Sequence, residues 1–154
     1  MLRGLTIIFT EANQQTMNEL FLDTSYGIAI ASKRDSLHQR AVFLAQKIKA
    51  EKILLITTQA VLLEIGNALA KLKYRQFGIR LLANLEQDSN ATIISLTDEL
   101  YDKAFELFQN RPDKEWGLVD CVSFIVMQEQ NITDALTADE HFVQAGFRAL
   151  LIDE

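Results

Sequence analysis

One cysteine, one proline and six glycines are all that this 154-residue chain holds of the residues that crosslink, break or loosen a fold. The lone thiol, Cys121, excludes an internal disulfide framework and fits a reducing compartment, so the expected location is the cytoplasm. With so little Gly and Pro, and no Ser-rich run, the sequence offers no linker, repeat or low-complexity segment. Long apolar runs are missing as well, and every run falls far below the roughly 18 residues that suggest a membrane span. The opening stretch MLRGLTIIFTEANQQT carries one arginine and an apolar patch of about five residues, where an export signal needs roughly seven to fifteen. Excess positive charge is absent too. A net charge of −6 argues against general affinity for polyanions, because nonspecific nucleic-acid binding depends on neutralising phosphates.

What is present suits one globular domain. At 49% hydrophobic and 23% charged, the chain has enough apolar surface for a single core. Residues 19–22 read as a short strand ending at a carboxylate, Asp23, with a brief helix over 25–32. Apolar residues Leu37, Ala41, Leu44, Ala45 and Ile48 have the spacing of an amphipathic helix over 35–50. KILLIT (52–57) is short and branched enough for a buried strand, after which Thr58 can cap a helix running through Tyr74, broken near Arg75 and continuing to Gln87. ATIISL (91–96) predicts a third strand, Thr97 with Asp98 and Glu99 opens a helix to about Asn110, and another helix spans 118–130. DALT (134–137) predicts a strand, 139–145 a short helix ended by Gly146, and ALLI (149–152) a last strand. Strands alternating with helices imply a parallel sheet covered on both faces, whose active crevice lies beyond the carboxyl ends of its strands.

Three aspartates fall on that ground. Asp23 ends the first strand, Asp120 opens the helix after EWGLV, and Asp139 follows DALT. Each also has a purely structural account. Asp23 can cap the next helix, Asp120 and Asp139 suit a helix dipole, and Thr137 with Glu140 can form a capping box around Asp139. Glu64 resists such an account. In AVLLEIGNAL it stands among Val61, Leu62, Leu63, Ile65 and Leu69, which predicts a carboxylate in or beside a buried helix face with no basic residue within one turn. A lone buried carboxylate needs a partner or a cation. A divalent ion shared with the three aspartates would satisfy it, and oxygen donors without a His or Cys cluster suit Mg²⁺ or Mn²⁺.

LFLDTS, LLEIGNAL, WGLVDCVSFIVMQE and DALTADEHFVQAGF, in this order, resemble the PIN domain, and in particular the small VapC-type ribonucleases of toxin–antitoxin pairs. The resemblance covers roughly residues 19–152 and implies an α/β three-layer α/β/α sandwich with a mainly parallel sheet, whose acids bind divalent metal and cut RNA. By position the acids would be Asp23, Glu64, Asp120 and Asp139, with Thr24 and Thr137 orienting them and Ser123 a weaker helper. Direct ligation would fall to Asp23 and Asp120, ligation or water activation to Glu64, and a second or weaker site to Asp139. The resemblance also implies a homodimer, a small antitoxin whose basic side chain enters the acidic crevice, and no membrane. Such proteins begin a few residues before the first acid, so residues 1–16 are expected to be an extension and 17–154 the domain.

Between Glu64 and Glu86 no acid occurs, while Lys71, Lys73, Arg75 and Arg80 accompany Tyr74 and Phe77. That segment is either a solvated helix face or a surface that tracks RNA phosphates, with Lys33 and Arg34 as further candidates. Phe105, Phe108, Phe124 and Phe142 fall at helical spacing among aliphatics and read as core, and neither His38 nor His141 is expected to take part in catalysis. A haloacid-dehalogenase type of phosphotransferase wants a second Asp where Ser25 stands, and a receiver domain wants an acceptor Asp and a late Lys that ATIISL and ALLI do not supply. The remaining alternative is a PIN fold that acts only by binding. Which RNA is cut does not follow from the sequence.

Overall fold

A computed structural model of the chain describes residues 19–153. The expected extension, residues 1–16, lies outside the described residues. The first strand, β1 (Glu19–Leu22), is central because its side chains Leu20, Phe21 and Leu22 are apolar on both faces, and all three are buried. A strand buried on both sides belongs in the middle of a parallel sheet. It pairs in parallel with β2 (Leu54–Thr58) on one side and with β4 (Asp134–Leu136) on the other. Outside these lie β3 (Ala91–Ile94), against β2, and β5 (Arg148–Ala149), against β4, giving the order β3-β2-β1-β4-β5.

Helices α1 (Thr24–Ala31) and α2 (His38–Glu51) join β1 to β2, and α3 (Gln59–Ala68) and α4 (Leu72–Gln87) join β2 to β3. Next, α5 (Asp98–Asn110) and α6 (Leu118–Glu129) carry the chain from β3 across to β4, and α7 (Glu140–Gln144) links β4 to β5. The crossovers run outward in two opposite directions from β1, and by the general rule of right-handed crossover this places helices on both faces, so three layers result. The α/β sandwich expected from the sequence is the fold, and its sheet is parallel throughout. Among the described residues, no helix is long and apolar enough to cross a membrane.

Four details depart from the sequence reading. Helix α2 begins at His38 instead of Asp35, because the Asp35 carboxylate accepts the Leu37 amide at 2.8 Å and closes a turn before the helix. The α3 to α4 break comes at Leu69–Lys71 and not near Arg75: Leu69 is buried, and the chain folds back so tightly that a Cβ on Gly78 would lie 3.0 Å from the Leu69 Cβ. Only Arg148 and Ala149 form β5. Leu150 and Leu151 still donate to Ala135 and Thr137 carbonyls, yet the Ile152 and Asp153 amides turn back onto Ala149. Finally, Phe124 and Phe142 are core, stacked edge to face at 5.0 Å, whereas Phe105 and Phe108 are exposed and form a stacked row with Tyr101 on the outer face of α5. Helical spacing marks a face of α5 but cannot say that another element covers it.

Candidate active site

The strand order reverses at β1. Two chain segments leave neighbouring strands there in opposite directions, so their carboxyl ends open a crevice instead of closing over one another. Asp23 leaves β1 at this point, and Thr137 and Asp139 leave β4 beside it, tied by the Asp23 amide donating to the Leu136 carbonyl at 3.2 Å.

Asp23 is buried, with 5% of its surface exposed, and its side chain does not cap α1. Instead its Oδ2 accepts the Thr137 hydroxyl at 2.7 Å and faces the Ser25 hydroxyl at 3.4 Å. Thr137 in turn accepts the Asp139 amide at 3.0 Å, and Ser25 accepts the Ala138 amide at 2.9 Å. Two hydroxyls therefore lock the turn after β4 onto the acid after β1. The capping box expected of Thr137 and Glu140 does not form, since the Thr137 hydroxyl is engaged with Asp23 and Asp139 itself caps α7, accepting the His141 amide at 2.9 Å.

Asp120 stands in the first turn of α6, where its Oδ2 accepts the Gly117 amide at 2.9 Å. The loop before it is held by Trp116, which is buried edge-on against Phe124 at 5.0 Å and donates its indole N–H to Gln144 at 3.0 Å. Trp116 is thus an anchor of the loop that carries Asp120. Glu64 corrects the sequence reading: it is exposed, as is Leu63, because this part of α3 borders an open cleft of ≈ 250 Å³ also lined by Asn67, Tyr101, Leu118 and Val119. It still reaches the site, since the Thr24 hydroxyl donates to Glu64 Oε1.

The electrostatics follow from this packing. Burial pushes Asp23 from an ordinary 3.8 up to about 6, the Thr137 and Thr24 hydrogen bonds oppose it, and the charges of Asp120 and Glu64 add to it. Asp120 is raised too, chiefly by burial and further by Asp139, with Gly117 and His141 opposing. Carboxylates that crowd one crevice hold unfavourable charge until a cation relieves it. Asp120, Asp139 and His141 each offer a donor atom within 4.8 Å of the others, and the two carboxylates among them are hard oxygen donors of the kind Mg²⁺ or Mn²⁺ takes.

Not every expected residue is drawn in. Ser123 is fully buried, but its hydroxyl donates to the Val119 carbonyl one turn back at 3.1 Å and meets no acid. Lys71, at the start of α4, and Lys73, Arg75 and Arg80 along it are exposed, as are Lys33 and Arg34 after α1. Two further residues meet the acids: Ser25, which had no expected role, and His141, which was not expected to take part in catalysis. Ser25 and His141 each sit two positions after an acid, which is a spacing too common to mark a role without the fold. The His141 ring lies 3.0 Å from Asp120 and 3.4 Å from Asp139.

The PIN domain family profile matches residues 20–148, which takes in all of these acids. The chain belongs to the PIN domain family. Among curated PIN proteins of similar sequence is the 23S rRNA-specific endonuclease VapC20 of Mycobacterium tuberculosis, from strains CDC 1551 / Oshkosh and ATCC 25618 / H37Rv. Each is 28% identical over 132 residues, covering 83% of this chain and 95% of the relative. The crystal structure of that Sarcin-Ricin loop cleaving toxin superposes on this PIN domain with a TM-score of 0.72 and 26% identity, over 83% of this chain and 95% of the other.

Proposed function

We propose that this PIN domain is a divalent-metal-dependent endoribonuclease and the toxin of a toxin–antitoxin pair. The observation that carries this reading is the close grouping of Asp120 and Asp139 in the crevice where the strand order reverses, with Asp23 joined to Asp139 through Thr137 and near enough to feel the charges of Asp120 and Glu64. The relatives named as RNA endonucleases point the same way. Asp23 and Asp120 would hold the metal directly, Glu64 would ligate or receive the proton of the attacking water, and Asp139 would hold a second or weaker site. Mg²⁺ or Mn²⁺ bound there supplies a Lewis acid for phosphate oxygen and a water that ionises near neutral pH.

The chain's own groups do the positioning. Thr137 and Ser25 keep Asp23 turned into the crevice, Thr24 does the same for Glu64, and the buried wall behind Asp23 keeps bulk water from that side. Cleavage is expected to leave a 5′ phosphate, with the 3′ oxygen departing and the ribose 2′-hydroxyl taking no part as nucleophile. Unpaired or looped RNA should be preferred, because it can bend toward a recessed site while an A-form helix presents its phosphates rigidly. A sarcin–ricin loop hairpin is the first substrate to try. Lys71, Lys73, Arg75 and Arg80 would track its backbone. The partners would be a second copy of the chain and a small antitoxin whose arginine replaces the metal charge in the crevice, in the cytoplasm.

The test compares wild type with Asp120→Asn on that hairpin in Mg²⁺, Mn²⁺ and EDTA. Wild type should cut with either metal and not in EDTA, and the variant should lose most activity while staying folded. Undiminished cutting in EDTA, or by the variant, would rule out the metal mechanism. A folded wild type that binds RNA without cutting it would favour the binding-only alternative.

A further inference from the structure

One residue touches two of the acids through two different N–H groups. The backbone amide of His141 donates to Asp139 Oδ1 at 2.9 Å, and its ring Nδ1 lies 3.0 Å from Asp120 Oδ2. Those acids belong to separate elements, the cap of α7 and the first turn of α6, so His141 joins the segment after β4 to the segment before α6. Metal binding requires Asp120 ionised, and an ionised carboxylate offers only lone pairs, so in that state the ring nitrogen 3.0 Å away brings the hydrogen. Asp120 Oδ2 is then held by two donors, the Gly117 amide and the imidazole, while Oδ1 takes no hydrogen bond from any described residue. Two donors on one oxygen set both the rotation of the carboxylate and which oxygen is presented.

We propose that His141 is a positioning residue that clamps Asp139 through its backbone N–H and Asp120 through its ring Nδ1–H, so that Asp120 presents Oδ1 to the cation. The assignment rests on the metal-dependent reading above and adds a role that the acids alone do not reveal. It excludes Nδ1 as the metal-binding atom of the ring and leaves Nε2 as the one nitrogen the experiment has to test. As a metal ligand, Nδ1 would need its lone pair free, whereas in this arrangement that atom carries a hydrogen bonded to a carboxylate. His141 is partly exposed, with 29% of its side chain accessible, so replacing it leaves the core intact.

Mn²⁺ binding to the full chain is measured by titration calorimetry and by pulsed EPR for wild type, His141→Ala and His141→Asn, with apo melting temperature and RNA affinity in EDTA alongside. Asparagine can place an amide N–H near the position of Nδ1–H. The expected result is a loss of Mn²⁺ affinity of about 10- to 100-fold in His141→Ala, as for other partners that orient a ligand. His141→Asn should recover most of it. Melting temperature and RNA affinity in EDTA should match wild type in both variants, and wild-type Mn²⁺ should show no coupling to an imidazole nitrogen. A nitrogen coupling that disappears in His141→Ala would make the ring a ligand and overturn the assignment. Unchanged affinity in His141→Ala, or no recovery in His141→Asn, would overturn it as well. If Asp120→Asn binds Mn²⁺ like wild type, the failure lies instead with the metal reading itself.

Discussion

Asp23 joins protonation, stability and metal binding in a single carboxyl group. Its value rises from 3.8 to about 6 on folding, so the folded chain holds that proton more tightly than the unfolded chain does. Stability from this group is therefore full below 3.8 and lost as pH rises through about 6. The gap is worth at most about 3 kcal/mol at about 1.36 kcal/mol per pH unit. A cation requires the ionised form and reverses the trend. In EDTA the melting temperature should fall between pH 5 and 7.5 relative to an Asp23→Asn control, and the rise produced by Mn²⁺ should grow over the same interval. Melts at three pH values, with and without Mn²⁺, check this, and a Mn²⁺ effect that is constant with pH would remove Asp23 from the ligand set. At this scale the sequence pointed to the acids and to Thr24 and Thr137 beside them, pointed wrongly to Ser123, and did not mark Ser25 or His141. Asp23, which taken alone could have been a helix cap, could be placed because it stood in a set with Glu64, Asp120 and Asp139. Ser25 and His141 could not, because a hydroxyl or imidazole two residues from an acid acquires a role only when another strand or helix arrives beside it.

Helices and strands were legible to within a few residues, and the chief misses fall where packing between elements overrides the local pattern. The α3 to α4 break shows this best. The apolar pattern runs on through Leu69 and Leu72, so nothing in it marks the end of α3, and the turn exists because α4 packs back onto Leu69 with Gly78 at the contact. At that position Gly78 is needed for close approach. Gly78→Val would place its Cβ 3.0 Å from the Leu69 Cβ, a stem atom with little freedom to move. Overpacking of this kind costs about 1–3 kcal/mol, and valine gains back only part of glycine's poor helix propensity. A lower melting temperature, with cleavage unchanged below the transition, is the expected outcome of a thermal melt paired with the hairpin assay. An unchanged melt would show that the two helices can part without loss. Phe105 and Phe108 teach the converse lesson, since an apolar stripe shows which face of α5 is greasy and not whether anything covers it.

At the scale of the whole molecule, an acidic chain of net charge −6 with the proposed action on RNA must confine its attraction to local surfaces. The same acidity favours a basic partner. Purification from the native cell should yield a complex with the mass of two copies of this chain plus a small basic-tailed protein, and a monomer free of any small protein at micromolar concentration would remove the toxin part of the proposal while leaving the nuclease part. The sequence by itself determined the class of fold and the chemistry it could support: a central strand apolar on both faces requires a covered parallel sheet, and four acids without a His or Cys cluster limit the choice of metal. Only the tertiary structure decided which groups meet. Asp23 and Thr137 are 114 positions apart, as are no neighbours a periodic pattern could relate, yet they lie 2.7 Å apart. The reason is that local pattern reports which face of an element is buried, whereas a site is made where the order of strands reverses, and that order is set by the packing of the whole chain.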